Sequence, residues 1–219
     1  MIQIIPSIAS ADLLNIAIEL ERCKEIGYLH LDIEDGNFSP DITFGMDMIS
    51  AIMQNTKAEV DAHLMVTNPL NYIIPLCENN VTRIAVHLEA VMYPAQCITL
   101  IHQMGRKAGL ALNYKTDINQ ILPYMDEIDY VLLQTCEAGD NNLQFKEYSR
   151  NKIRQARHLL PEKVELWADG GITDQLLYEL MKDGLDHAVM GRALFGSKSM
   201  MELYHTMMAR DREDKLYEL

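Results

Sequence analysis

Eight short apolar runs recur along this 219-residue chain, each followed by a stretch whose apolar residues repeat at helical spacing. The runs are IQIIPS (2–7), YLHLDIE (28–34), EVDAHLMV (59–66), RIAVHLE (83–89), KAGLALN (107–113), YVLLQT (130–135), VELWADG (164–170) and HAVMG (187–191). Helical patterns begin near Ala11 and cover about 46–54, 69–78, 94–104, 118–125, 145–160 and 174–182, with a last one from about Ser199 into the charged tail. Strand–helix alternation of this kind predicts a parallel sheet with right-handed crossovers. Eight units in a chain of this length suit a closed (β/α)8 TIM barrel of the α/β class better than an open doubly wound sheet. No linker or low-complexity stretch interrupts the pattern, so one domain spanning 1–219 is expected.

In such barrels, chemistry gathers at the C-terminal ends of the strands. Strand side chains alternate with period two. In the second run, His30, Asp32 and Glu34 therefore share one face, and Leu29, Leu31 and Ile33 share the other. The apolar face is expected to meet the helices, and the polar face the barrel mouth. Asp61, His63 and Met65 share a face in the third run, and WADGG puts Asp169 at the end of the seventh. His30, Asp32, His63 and Asp169 offer two imidazoles and two carboxylates. That donor set suits one divalent metal ion such as Zn, Fe(II), Mn or Co. A metal-free buried hydrogen-bonded cluster is the alternative, and spacing leaves the two readings open. With a metal polarising a neighbouring carbonyl, Asp32 and Asp169 could remove and return a proton on opposite faces of one carbon. That is epimerisation through a metal-stabilised enediolate.

Gly170 and Gly171 follow the seventh run, and Gly191-Arg192 follows the eighth. Loops in these places commonly hold phosphate through backbone N–H groups in this architecture, and an arginine adds a charge-assisted contact. A net charge of −13 argues against nucleic acid or an anionic membrane surface as partner. It leaves room for a small phosphorylated ligand in a local pocket. No run approaches the roughly 20 apolar residues of a membrane helix. No basic segment followed by an apolar run opens the chain, so no signal peptide is expected and a cytoplasmic protein is. Cys23, Cys77, Cys97 and Cys136 show no paired spacing and are expected as reduced, buried thiols.

PSIASADLL (6–14), HLDIEDGNFSPDITFG (30–45), DAHLMVTNP (61–69), VHLEA (86–90), AGLALN (108–113) and ADGGI (168–172) together resemble the ribulose-phosphate 3-epimerase family nearly end to end. The resemblance implies a metal-dependent isomerase, usually a homo-oligomer, that interconverts D-ribulose 5-phosphate and D-xylulose 5-phosphate at C3. It implies His30, Asp32, His63 and Asp169 as metal ligands, and Asp32 and Asp169 as the acid–base pair. Ser7, His63 and Met65 fall at substrate positions, and Gly170, Gly171 and Gly191 at phosphate-side backbone positions.

Two departures stand out. Where the family's sixth loop usually reads NPGFGGQ, this chain has EAGDNNL (137–143). Gly139 survives, and Asn141 and Asn142 replace glycines. Arg192 follows Gly191 where a serine is common, and could supply phosphate contacts in place of the loop or point away into a surface salt bridge. The family's methionine floor keeps Met65, whereas Glu34 and Gln134 stand at two other methionine positions. Burying both would cost several kcal/mol without partners, so each is expected to bond to the other, to water or to substrate. A polar floor suggests a ketohexose phosphate such as allulose 6-phosphate as the alternative substrate. An aldol-type lyase or decarboxylase is disfavoured, because the run LDIED lacks the Asp-x-Lys-x-x-Asp pattern. A non-catalytic sugar-phosphate-binding barrel is the remaining alternative.

Overall fold

The computed structural model describes residues 2–137 and 144–217, with side chains described as far as residue 209. Each apolar run becomes a strand: β1 (Gln3–Pro6), β2 (Tyr28–Glu34), β3 (Glu59–Met65), β4 (Arg83–His87), β5 (Lys107–Leu112), β6 (Tyr130–Gln134), β7 (Glu165–Asp169) and β8 (His187–Met190). All neighbouring pairs are parallel and run in the order β1-β8-β7-β6-β5-β4-β3-β2. A parallel bridge between Ser7 and His30 joins the first strand's end to the second strand. It brings the two sheet edges together and makes the sheet a barrel.

The helices are α1 (Ile16–Cys23), α2 (Met46–Gln54), α3 (Leu70–Glu78), α4 (Pro94–Gln103), α5 (Glu147–Leu159), α6 (Asp174–Lys182), α7 (Arg192–Phe195) and α8 (Met200–Tyr217). Two expected helices differ. Near Ala11 the chain makes short 3-10 turns first, Ile8–Ser10 and Leu13–Asn15, and α1 starts only at Ile16. Asp12 accepts from the Leu14 N–H and the Asn15 side chain, and such local bonds compete with a regular helix. Between β5 and β6 the connection is a 3-10 helix, Ile118–Tyr124, with Pro123 inside it. The proline has no N–H to donate to an α-helical bond. Among the described residues no helix is long and apolar enough to cross a membrane, and all four cysteines are buried and outside any disulfide.

Alternation sorts the strand side chains into two cores. Leu29, Leu31 and Ile33 of β2 join the layer packed between strands and helices. Ile5, Ala85, Ala111, Leu132, Trp167 and Val189 fill the barrel interior with Tyr130. Gly109 makes room for that tyrosine: a Cβ there would lie 2.4 Å from the ring. At the N-terminal end of the barrel the interior polar groups neutralise one another. Arg83 Nη1 lies 2.9 Å from Glu165 Oε2, and Lys107 and His187 approach the same carboxylate within 3.3 Å. Trp167 Nε1 also donates to it, at 3.1 Å. The Arg83 guanidinium sits over the Trp167 ring, 5.5 Å from its centroid.

Candidate metal and active site

The opposite end of the interior is built differently. β2 and β3 pair Asp32 with His63, and β6 and β7 pair Gln134 with Asp169. Closure of the barrel brings these pairs face to face. One donor atom from each of His30, Asp32, His63 and Asp169 then lies within 4.8 Å of every other. His30 Nε2 is 3.1 Å from Asp32 Oδ1 and 3.9 Å from Asp169 Oδ2. His63 Nδ1 is 3.3 Å from Asp32 Oδ1 and 3.4 Å from Asp169 Oδ2. Bonds of about 2.0–2.2 Å to one metal put neighbouring ligands about 2.8–3.6 Å apart. The donor set and most of these spacings fit a divalent ion. His30 lies in mid-strand, deeper than Asp32, so the cluster spans two interior layers.

The remaining nitrogen of each histidine also has a polar atom close by, although His30 Nδ1 lacks hydrogen-bond geometry to its neighbour. His30 Nδ1 meets Asp61 Oδ2 at 2.7 Å, and Tyr130 donates its hydroxyl to the other oxygen of Asp61. His63 Nε2 is 2.8 Å from His87 Nε2. Ser7 Oγ donates to Asp32 Oδ2 at 2.6 Å. The Asp169 carbonyl accepts from the Thr135 N–H at 2.7 Å and from its hydroxyl at 2.8 Å, which anchors the end of β7.

Electrostatics separates the two aspartates. Burial works to raise Asp32, but His30 and His63 overcome it and hold its pKa well below the usual range. Burial and the neighbouring Asp32 charge raise Asp169. Burial would lower both histidines. The surrounding carboxylates reverse this, taking His30 well above its usual value and His63 to about 9. A site that draws protons onto two buried imidazoles in this way has an excess of negative charge, which a divalent cation would also balance.

Above the cluster opens a cavity of about 860 Å³. Asp32 and Asp169 line it, and His30 and His63 are fully buried beneath them. Ser7, Met65, Gly170, Gly171, Gly191 and Arg192 also line it. Two of the glycines are sterically required. A Cβ on Gly170, at φ +119°, would meet Cys136 Sγ at 2.5 Å, and one on Gly191 would meet Ser10 Oγ at 2.2 Å. Gly139, Asn141 and Asn142 lie outside the described residues.

Glu34 and Gln134 both face the cavity but do not bond to each other. Glu34 Oε1 accepts from Ser39 Oγ at 2.9 Å, and burial raises the pKa of its carboxyl group despite that bond. Gln134 is 5% exposed. Its Nε2 reaches the Met65 sulfur at 3.5 Å, and its Oε1 has no hydrogen-bond partner among the described residues. Ser39, Asp61, His87, Glu89, Tyr130 and Thr135 complete the surroundings without having stood out as site residues in sequence. The interior-facing alternation of VHLE could have flagged His87.

Fold and cluster together define a (β/α)8 barrel with a His–Asp–His–Asp cluster fit for a divalent metal at its C-terminal mouth. More particularly, the chain belongs to the ribulose-phosphate 3-epimerase family, whose family model matches residues 3–195. A protein of Aquifex aeolicus named ribulose-phosphate 3-epimerase is 32% identical over 200 residues, covering 89% of this chain and 90% of its own length. The ribulose-phosphate 3-epimerase, cytoplasmic isoform, of Oryza sativa subsp. japonica is 31% identical over 201 residues, covering 89% of this chain and 88% of its own length. Among solved structures, a mutant tryptophan synthase alpha-subunit from Pyrococcus furiosus superposes with a TM-score of 0.69 at 15% identity, covering 94% of this chain and 95% of that one. That likeness supports the fold alone.

Proposed function

We propose that this protein is a metal-dependent 3-epimerase of a phosphorylated ketose, with D-ribulose 5-phosphate to D-xylulose 5-phosphate as the first reading. The observation that carries it is the convergence of His30, Asp32, His63 and Asp169 at the cavity floor, with two carboxylates in unequal environments. Relatives bearing the epimerase name support the choice of reaction. The four residues would hold Zn, Fe(II), Mn or Co. When bound, the ion supplies positive charge that polarises the ketose oxygens and makes the neighbouring C–H bond more acidic.

The chain's own groups do the rest. Asp32, held as a carboxylate and oriented by Ser7, takes the C3 proton from one face. The electron pair left at C3 spreads onto the C2 oxygen, and C3 becomes planar. Asp169, the more readily protonated partner, returns a proton to the opposite face. For the reverse reaction the roles exchange, as two groups with separated pKa values allow. The backbone at Gly170, Gly171 and Gly191 and the Arg192 side chain receive the phosphate. Gly139, Asn141 and Asn142 are assigned to the same task from sequence alone.

A ketohexose phosphate such as allulose 6-phosphate is the second reading. It is favoured by the polar floor, where Glu34 and a buried, unpartnered Gln134 Oε1 could receive a substrate hydroxyl. Incubating metal-loaded protein with both ketose phosphates in D2O tests all of this. Deuterium at C3 with formation of the epimer supports the proposal, and the faster substrate chooses between the readings. Binding without exchange overturns it in favour of a non-catalytic sugar-phosphate-binding barrel.

A further inference from the structure

A chain of buried polar groups leads away from the metal cluster and ends on a carboxylate. His63 Nε2 lies 2.8 Å from His87 Nε2. His87, the last residue of β4, presents its Nδ1 to Glu89 Oε2 at 3.0 Å. Both histidines are fully buried, and the Phe38 ring packs against His87 with centroids 4.7 Å apart. The other oxygen of Glu89 accepts from the Asn113 N–H at 2.8 Å and from the Thr116 hydroxyl. Lys152, also buried, donates to the Asn113 carbonyl at 2.6 Å and adds positive charge near the far end of the chain.

The chemistry of the end group sets the direction of every bond in between. Glu89 collects hydrogen bonds from donors on both oxygens, so it acts as an ionised acceptor; these donors and His87 outweigh its burial and hold its pKa at about 2. An ionised carboxylate only accepts. His87 Nδ1 must then carry a proton. In a neutral imidazole with its proton on Nδ1, Nε2 is the lone pair. Between two ring nitrogens 2.8 Å apart only one proton fits, and it must belong to His63 Nε2. His63 is thereby left with Nδ1 as the nitrogen that can offer a lone pair, and Nδ1 is the atom facing Asp32 and Asp169. The corresponding nitrogen of His30, Nδ1, lies 2.7 Å from Asp61 Oδ2 but without hydrogen-bond geometry.

We propose that His87 and Glu89 are positioning residues that lock His63 in its Nε2–H tautomer, so that Nδ1 is presented to a divalent cation. A pair of histidines buried only for packing would not need an anion at one end and a converging donor set at the other. Groups that orient a ligating histidine this way typically change metal affinity 10- to 100-fold when removed. The inference rests on the metal reading of the site, and its test separates the two.

Zinc affinity of the full chain is measured by competition with a chromophoric chelator for wild type, His87→Leu, His87→Gln and Glu89→Leu, with folding checked by circular dichroism. His87→Leu and Glu89→Leu are expected to weaken zinc binding by about 10- to 100-fold. His87→Gln, whose amide oxygen can accept from His63 Nε2, is expected to recover most of the loss. Long-range ¹H–¹⁵N correlation spectra of the zinc-loaded wild type give a second reading that needs no folded variant, and are expected to show His63 protonated at Nε2 only. Folded His87→Leu that binds zinc as tightly as wild type overturns the proposal, as does a His63 protonated at Nδ1. Wild type that binds neither Zn, Mn nor Co overturns it together with the metal reading itself.

Discussion

The two ends of the barrel interior hold similar side chains and use them in opposite ways. At the N-terminal end, Glu165 is surrounded by Arg83, Lys107, His187 and the Trp167 N–H, so each charge there has an opposite one beside it. At the C-terminal end, two aspartates and two histidines point their donor atoms at a common centre. Among the described residues no lysine or arginine forms an ion pair with either aspartate. The first arrangement balances its charges internally, although Arg83 Nε and His187 Nδ1 have no hydrogen-bond partner among the described residues. The second relies on protons drawn onto His30 and His63 and raises the pKa of Asp169, a balance that a divalent cation can take over. Polar residues satisfied by one another hold the fold, and polar residues left converging are free to do chemistry.

Substitutions can break this contrast from either end. The largest effect is expected at the mouth: Asp169→Asn should lower kcat for C3 epimerisation by roughly 10³-fold. Its melting temperature should stay the same or rise, because a buried like charge next to Asp32 is removed. An Asp169→Asn enzyme with near-normal turnover would show the two-base assignment to be wrong. At the other end, Arg83→Met should cost about 2–3 kcal/mol in urea unfolding, because Glu165 loses its nearest cation while keeping some contact with solvent. Turnover by that variant should match wild type, and a parallel loss of activity would erase the distinction between the ends.

A smaller change sharpens the contrast within the mouth. Gln134→Met conserves volume and removes the unpartnered Oε1, so stability should hold or rise slightly. If Gln134 receives a substrate hydroxyl, kcat/KM should fall about tenfold for the preferred ketose phosphate and less for the other, as steady-state rates on both will show. The mildest effect is a pH slope. Burial raises Glu165, but His187, Arg83 and Trp167 take its pKa from the usual 4.5 down to about 2. A depressed carboxylate contributes stability above its unfolded pKa and loses it as pH falls through the folded value. Unfolding free energy should therefore decline as pH drops from about 4.5 to about 2. Glu165→Gln should flatten that decline in denaturant titrations at stepped pH.

Much of this was legible in the chain because it is periodic. Runs of apolar residues with period two mark both the strands and the residues that face inward, so His30, Asp32, His63 and Asp169 could be singled out together. His87 was harder to see, since one histidine on an interior face is usually only a packed core residue. Its partners, His63 and Glu89, give it meaning only in three dimensions. Glu34 and Gln134 were recognised as odd, but their separate surroundings, Ser39 for one and Met65 for the other, could not be read from spacing. The helices expected near Ala11 and at 118–125 yielded to local bonding by Asp12 and to Pro123, effects that apolar periodicity does not register.

Sequence by itself determined which side chains enter the barrel, because alternation along a strand is a local property of the extended backbone. It also determined the number of strand–helix units, and so the barrel. Only the tertiary structure decided what those side chains do once inside. Whether a histidine offers Nδ1 or Nε2, and whether a carboxylate meets an arginine or another carboxylate, depends on strand register and on closure through Ser7 and His30. Those are relations between segments far apart in the chain, fixed by the packing of the whole barrel.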